Sequence, residues 1–162
     1  MSFLVEKKRS GRRWLLLVFA LLIGLPLLST FGPLVFLNRT PSIAKGFYIR
    51  KISENISIGD IIVFYVDDKN NKLIKYVAGQ AGDEFCIDYR GAIWINGLFA
   101  AQINVQKYSD FSLNQSRCET LKKGRWFVLG DHPDSYDSRY FGPIKTSQVI
   151  AQVELAFEIK QP

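Results

Sequence analysis

The feature that most constrains how this chain can fold is an uncharged run of 25 residues, positions 14–38, close to its N-terminus. As an α-helix the run would be about 37 Å long, against roughly 30 Å of hydrocarbon in a bilayer. Glycine and proline in its second half would kink this helix and end it near Gly32, which membrane helices tolerate. We therefore predict a transmembrane anchor at residues 14–37.

A cleaved signal peptide is the alternative interpretation of the same run. Its apolar region would be about 7–15 residues long and would close on a small-residue cleavage site of the A-x-A type. The observed run is longer and offers no such site. The sequence therefore favours a retained anchor.

The net charge of +6 is unevenly distributed along the chain. Residues 1–13 carry five basic side chains against Glu6, so this tail has a charge of +4. The remainder holds 16 basic and 14 acidic side chains, which leaves it at +2. Because the folded part lacks a basic surface, nucleic acid is not an expected partner. Residues 38–162 are enough for one domain with a single core.

Cys86 and Cys118 are the only cysteines of the chain. An even pair in an exported domain usually indicates a disulfide, and closing this loop would stabilise the fold by about 3–4 kcal/mol. Two buried free thiols in a cytosolic domain are the alternative. Basic residues follow the apolar run as well as precede it, so charge alone gives little orientation. On the cysteines we place the tail of residues 1–13 in the cytoplasm and residues 38–162 outside it.

Beyond the anchor the apolar pattern has the period of β-strands. No helical period of useful length appears, and residues 104–124 are polar and weakly patterned, which indicates a loop. The Asn96-Gly97 pair is typical of a tight hairpin turn. We predict a mainly β domain, a small antiparallel β-barrel or pair of sheets, behind one N-terminal transmembrane helix. The predicted strands cover residues 46–51, 60–66, 72–78, 84–89, 92–96, 126–129 and 149–159.

The first candidate for chemistry is Ser42, which follows Thr40 and Pro41 directly after the apolar run. Proline fixes its own φ and pushes Thr40 toward an extended conformation. Residues two apart in an extended segment point the same way, so the two hydroxyls should share a face. One hydroxyl could then attack a carbonyl while the other donates to the oxyanion. The alternative is that Thr-Pro-Ser only forms a turn.

A nucleophilic serine needs a base, and the sequence offers two kinds. His132 is the only histidine, and a lone histidine in a turn is usually a solvated or capping residue. A lysine base must lose water, since at a pKa of 10.4 only about one in 2,500 is neutral at pH 7. Lys75 meets this demand if Leu73, Lys75 and Val77 form the buried face of their strand. If the opposite face forms the core, Lys75 is solvated.

Three blocks in order carry a resemblance to a known family. They are "NRTPSIAKGFY" from position 38, "KYVAGQAGD" from position 75 and "GDHPDSYDSRYFG" from position 130. The chain resembles the type I signal peptidases, which are serine-lysine endopeptidases, and within them the TraF-like peptidases of conjugative transfer. The resemblance implies Ser42 as the nucleophile and Lys75 as the general base. It also implies that the Ser42 N–H and Thr40 form the oxyanion hole.

The third block supplies the supporting residues that the resemblance implies. Ser135 would orient the lysine, with Ser138 and Asp137 as the other candidates. Asp137 and Arg139 would form a supporting ion pair. Neither a cofactor nor a metal is expected.

The function that the resemblance implies is processing of a membrane-bound pilin precursor, by hydrolysis or by circularisation. The expected location is the bacterial inner membrane, with the N-terminus cytoplasmic and the peptidase domain periplasmic. The lipid bilayer and the precursor are the expected partners, and the substrate should add as a strand along an edge near residues 43–48. A general signal peptidase that removes signal peptides, and a non-enzymatic anchored β-domain of a secretion assembly, are the alternatives.

Overall fold

The computed structural model describes residues 13–19, 32–53, 55–66, 71–104, 106 and 116–160. The chain divides into two units, Met1–Leu34 and Val35–Pro162. Residues 13–19 are helical. Among the helices in the described ranges, none has the length and apolar character needed to cross a bilayer. The predicted anchor lies for the most part outside the described residues, and there it stays a prediction.

The predicted end of the anchor at residue 37 is wrong, because Val35–Asn38 is a β-strand, β1. Alternate side chains of β1 are buried, and Phe36 packs in the core of the second unit. Pro33 lacks the N–H that a continuing helix needs, and the strand backbone finds its partners in a neighbouring strand instead. An apolar run alone does not reveal this change from one unit to the next.

The second unit is mainly β, as predicted. Besides β1, the strands of its larger sheet are β2 (Gly46–Arg50), β3 (Ile61–Tyr65), β4 (Lys72–Gly79), β9 (Arg125–Leu129), β10 (Ile144–Lys145) and β11 (Val149–Glu158). This sheet is antiparallel throughout, with its seven strands in the order β1-β2-β11-β3-β4-β9-β10. A one-turn helix, Ser138–Phe141, and a 3-10 turn, Thr146–Gln148, connect β9, β10 and β11.

The smaller sheet has four antiparallel strands in the order β7-β6-β5-β8. They are β5 (Glu84–Ile87), β6 (Ala92–Ile95), β7 (Leu98–Gln102) and β8 (Arg117–Thr120). A disulfide joins Cys86 of β5 to Cys118 of β8, and the two residues lie directly opposite each other in the ladder. The predicted disulfide is therefore confirmed, while the compartment inferred from it stays a prediction.

Two strands of the smaller sheet were not predicted. β8 lies inside the predicted loop of residues 104–124, and all four of its residues are exposed, so it has no apolar alternation to detect. The ladder with β5 and the disulfide hold it in place. β7 follows the predicted turn, where Asn96 and Gly97 both have positive φ, the geometry of a tight hairpin.

The core consists of three clusters of buried apolar side chains. One joins the two sheets and includes Phe85, Ile93 and Phe127. The other two cover opposite faces of the larger sheet, since Ile62 belongs to one and its neighbour Val63 to the other. The centre of the larger sheet, where β3 and β4 lie, is consequently buried on both faces.

Candidate active site

Ser42 lies in the loop of residues 39–45 that joins β1 to β2, hereafter the serine loop. Its side chain is buried. Its carbonyl oxygen accepts a hydrogen bond of 2.6 Å from the N–H of Asp131, just beyond β9. The Tyr48 hydroxyl donates to the carbonyl of Ala44 over 2.6 Å. The loop is thus fixed from both sides, and Ser42 faces β4.

Lys75 of β4 is only 2% exposed, and its Nζ lies 2.7 Å from Ser42 Oγ. Lys75 is therefore buried, which is the condition that a lysine base requires. The alternative was that Ile74 and Tyr76 form the buried face of β4 and leave Lys75 solvated. In the structure, burial of one face of β4 does not expose the other. Ile74 packs in one cluster and Val77 in another, so both faces of β4 are covered.

Burial changes the protonation of Lys75. Loss of hydration, which disfavours the ammonium, lowers the pKa of Lys75 from 10.5 to about 8. The negative charge of Asp137 raises this pKa and the positive charge of Arg139 lowers it, both less strongly than burial. With a pKa of about 8, roughly one tenth of the lysines are neutral at pH 7, and about half at pH 8. The amine can therefore accept a proton from the hydroxyl beside it.

Thr40 lies on the same side of the serine loop as Ser42, as the Thr-Pro-Ser spacing predicts. The two hydroxyl oxygens are 2.9 Å apart. Asn38 was given no role from the sequence, yet it is buried and its Oδ1 accepts a hydrogen bond of 2.9 Å from Thr40 Oγ1. No signal in the sequence could have shown this role, because Asn38 ends a strand that was not predicted.

Asp137 and Arg139 form the predicted ion pair, and both are buried. Arg139 donates from Nε to one carboxylate oxygen over 2.8 Å and from Nη2 to the other over 2.6 Å. Its Nη atoms also donate to the carbonyls of Gly130, His132 and Pro133 over 2.8–3.1 Å. The Gly130 N–H in turn donates to Asp137 over 2.8 Å. This pair fixes the turn that contacts the Ser42 carbonyl.

Three residues were candidates to orient Lys75, and within the described part of the chain none of them is hydrogen-bonded to it. Ser138 Oγ accepts from the Val128 N–H over 2.9 Å and so connects the short helix to β9. Asp137 is engaged by Arg139. Ser135 Oγ is buried without a hydrogen-bond partner among the described groups, and it lines the same cleft as Lys75.

The cleft beside Ser42 has a volume of about 430 Å³. His132 lies at its exposed rim, where its Nδ1 accepts from the Asp134 N–H over 3.1 Å. This hydrogen bond is the capping role expected of a lone histidine in a turn. The cleft is lined by Thr40, Pro41, Ser42, Leu73, Lys75, His132, Asp134, Ser135 and Tyr136.

Gly130 leaves no room for a side chain. A Cβ there would lie 2.5 Å from the Ser42 carbonyl oxygen and would overlap the Ser135 hydroxyl. We expect Gly130→Ala to push the serine loop away from Lys75 and to lower turnover at least tenfold, since small displacements of reacting groups are costly. The measurement is kcat per folded molecule.

The matched control is Gly59→Ala. Gly59 has a φ of +89° and open space around it, so alanine strains the backbone at a residue that does not line the cleft. This variant should lose stability and keep its kcat. Equal kcat losses in both variants would contradict the prediction.

One group of side chains in the described ranges has the composition of a metal site: Glu84, Cys86 and Cys118. The two cysteines form the disulfide, so neither offers a thiolate. The cleft chemistry instead rests on hydroxyl, amine and carboxylate groups.

The chain is similar in sequence to a known family and to several known proteins. The profile of the family described as signal peptidase, peptidase S26, matches residues 11–158. Signal peptidase I of Bacillus caldolyticus is 29% identical in an alignment 172 positions long, gaps included, that covers 94% of this chain and 93% of that protein. Signal peptidase IB of Staphylococcus aureus is 26% identical in an alignment 120 positions long that covers 61% of this chain and 59% of that protein. The crystal structure of a signal peptidase I from Enterococcus faecalis V583 covers 61% of this chain and 97% of its own, with 26% identity and a TM-score of 0.43.

Proposed function

The chain belongs to the signal peptidase family, peptidase S26, and on that premise we propose that it is a serine endopeptidase that cleaves signal peptides from precursor proteins. Ser42 is the nucleophile and Lys75 the general base. The observation that carries this proposal is the 2.7 Å approach of a buried amine of lowered pKa to a buried serine hydroxyl. The relatives named above are signal peptidases I and IB, which favours this general activity over the pilin-specific one.

The proposed reaction is acyl transfer through Ser42. Neutral Lys75 accepts the Ser42 proton while Oγ attacks the peptide carbonyl, and the Thr40 hydroxyl and the Ser42 N–H donate to the oxyanion. The C–N bond then breaks, and protonated Lys75 gives its proton to the leaving amine. Water attacks the ester, Lys75 again acts as base, and Ser42 is regenerated.

Ser135 is our choice for the residue that positions Lys75. Its hydroxyl is buried, has no hydrogen-bond partner in the described part of the chain, and lines the cleft with Lys75. A buried hydroxyl without a partner is costly, so we expect Ser135 Oγ to accept a hydrogen bond from Lys75 Nζ once the lysine has taken up the Ser42 proton.

The substrate strand needs an open sheet edge. The predicted edge near residues 43–48 is wrong, because β2 begins at Gly46 and pairs with β1 on one side and β11 on the other. Beside Lys75 the situation differs, since β9 pairs with β4 only from Tyr76 onward. Residues 72–75 of β4 have β3 as their only strand neighbour among the described strands. We propose that an extended precursor segment pairs with this edge.

The proposed function is tested with the purified full chain in lipid vesicles and a panel of precursors. The panel contains several exported proteins with different signal peptides and one pilin precursor, and product termini are read by mass spectrometry. A general signal peptidase cleaves most of the panel at the end of the signal peptide. The narrower pilin activity, which rests on the resemblance to the TraF-like peptidases, cleaves one member of the panel. Circularisation gives a product one water lighter than the product of hydrolysis. No cleavage at all would support the non-enzymatic alternative.

For location we propose the bacterial inner membrane, with a cytoplasmic N-terminus and the second unit in the periplasm. The Cys86–Cys118 disulfide supports this, because disulfides persist in oxidising compartments. In intact cells, a maleimide reagent should label neither cysteine until a reductant is added. Two thiols that react without reductant would reverse the assignment.

Cleavage should increase with pH up to about 8, because only the neutral amine of Lys75 accepts a proton. Below that value kcat/KM should fall about tenfold per pH unit, with thermal melting at each pH to confirm that the protein stays folded. An acid limb near pH 4–5 would instead point to a carboxylate base and contradict the assignment of Lys75.

A further inference from the structure

Asn38 is the last residue of β1 and is 6% exposed. Its Nδ2 lies 3.0–3.1 Å from the carbonyl oxygens of Thr40, Ile43 and Ala44. Its Oδ1 accepts from the Thr40 N–H over 3.2 Å and from Thr40 Oγ1 over 2.9 Å. The buried Asn38 amide thus binds the serine loop both as a donor, through Nδ2, and as an acceptor, through Oδ1.

The orientation of this amide is fixed by its partners. Carbonyl oxygens only accept hydrogen bonds, so the side of Asn38 that faces three of them must be the NH2 group. Oδ1 then faces Thr40, and since a carbonyl oxygen has no proton to give, the Thr40 hydroxyl is the donor. Its single proton points at Asn38 and away from Ser42.

This direction matters for the neighbouring hydroxyl. Thr40 Oγ1 lies 2.9 Å from Ser42 Oγ, so a rotation about the Cβ–Oγ1 bond would let Thr40 donate to Ser42 instead. Such a bond would engage a lone pair of the oxygen that has to attack the carbonyl. By holding the Thr40 proton, Asn38 leaves the lone pair of the Ser42 oxygen free to attack the carbonyl.

We propose that Asn38 is a positioning residue that sets the direction of the Thr40 hydroxyl, an inference that rests on the proposed function. Before attack the Thr40 proton is on Asn38 Oδ1. When the oxyanion forms, the hydroxyl rotates and donates to it, which exchanges a neutral hydrogen bond for a charge-assisted one. The Thr40 N–H keeps its hydrogen bond to Asn38 Oδ1, which holds the serine loop in place. No covalent bond of Asn38 changes.

A double-mutant cycle between Asn38→Ala and Thr40→Val tests the inference, with kcat and KM measured on the full chain in vesicles. Thr40→Val should lower kcat by about 10²–10³, the usual effect of losing one oxyanion donor. Asn38→Ala should lower kcat at least tenfold with KM nearly unchanged. In the double variant the Asn38 effect should shrink to about threefold or less, because the hydroxyl it directs is absent.

Tyr48→Phe is the matched structural control. It removes a hydrogen bond to the Ala44 carbonyl, one of the carbonyls that Asn38 binds, without touching Thr40. Its effect on kcat should be independent of Thr40→Val, so the double variant should show the product of the two single-variant losses. If the Asn38 effect also multiplies in full, Asn38 only supports the loop and the inference is wrong.

Asn38→Asp covers the case in which the alanine variant does not fold. Aspartate keeps an acceptor for Thr40 and binds its proton more strongly, so kcat should fall, and part of that loss should vanish in the Thr40→Val background. An equal loss in both backgrounds would overturn the inference. If wild type shows no cleavage that depends on Ser42, the proposed function itself fails; if wild type cleaves and Asn38→Ala matches it, only the present inference fails.

Discussion

Replacing Lys75 by methionine should lower precursor cleavage by about 10⁴-fold or more, and replacing Ser42 by alanine should have the same effect. Each change removes a group that takes part in forming the ester, so the losses are those of a nucleophile or its base. The double variant should be no worse than either single variant, because the two groups act as a unit. Single-turnover cleavage of a purified precursor in vesicles is the measurement.

The control for Lys75→Met is Lys123→Met. Lys123 is exposed in the turn between β8 and β9, so its removal changes the charge by the same amount outside the cleft and outside the proposed substrate edge. Cleavage by this variant should stay within about twofold of wild type. Processing at near wild-type rates by folded Lys75→Met would remove the proposed mechanism.

Stability provides a second readout of Lys75 that is independent of any substrate. The folded chain releases the Lys75 proton near pH 8, whereas the unfolded chain keeps it to about 10.5. Between these values the unfolded state binds more protons, so stability should rise with pH through this window. Lys75→Met should lack this rise, and the difference between the two denaturation curves, recorded from about pH 7.5 to 9.5, isolates the lysine.

The sequence allowed part of this site to be predicted. The Thr-Pro-Ser spacing places two hydroxyls on one side of an extended segment, and they do lie 2.9 Å apart. The approach of Lys75 to Ser42 depends on how β4 lies relative to the serine loop, and no local pattern contains that information. It came instead from the order of three motif blocks. Strand alternation also failed to decide the burial of Lys75, because it assumes one buried face and β4 has two.

The end of the predicted anchor and the choice of a residue to orient Lys75 could not be predicted from the sequence, for different reasons. Apolar residues suit a membrane helix and a core strand equally, so only the pairing of β1 with β2 shows that Val35 begins the folded unit. The choice among Ser135, Asp137 and Ser138 depends on which neighbours each side chain already contacts. The Asp137–Arg139 ion pair joins residues two apart and was implied by the resemblance, but the sequence does not show that it holds Asp137 away from Lys75. The Ser138 bond to Val128 joins residues ten apart on different elements, and spacing does not reveal it.

Arg139→Met should destabilise the fold by about 3–5 kcal/mol, because it leaves the carboxylate of Asp137 buried without its partner. The carbonyls of Gly130, His132 and Pro133 would each lose one hydrogen-bond donor as well. Lys51→Met is the matched control, since its ion pair with Asp60 is 3.6 Å long and partly exposed. Such a surface pair contributes about 0–1 kcal/mol. Equal losses in urea denaturation would contradict the structural role of Arg139.

The same ion pair also influences the chemistry, and the two partners do so with opposite signs. Arg139 lowers the pKa of Lys75 and Asp137 raises it. The acid limb of the kcat/KM profile should therefore move to higher pH in Arg139→Met and to lower pH in Asp137→Asn. Both variants lose stability. If a general loosening of the turn changed the pKa of Lys75, the acid limb would move in the same direction in both variants. Opposite shifts, measured below the melting temperature of each variant, therefore assign the effect to charge at Lys75.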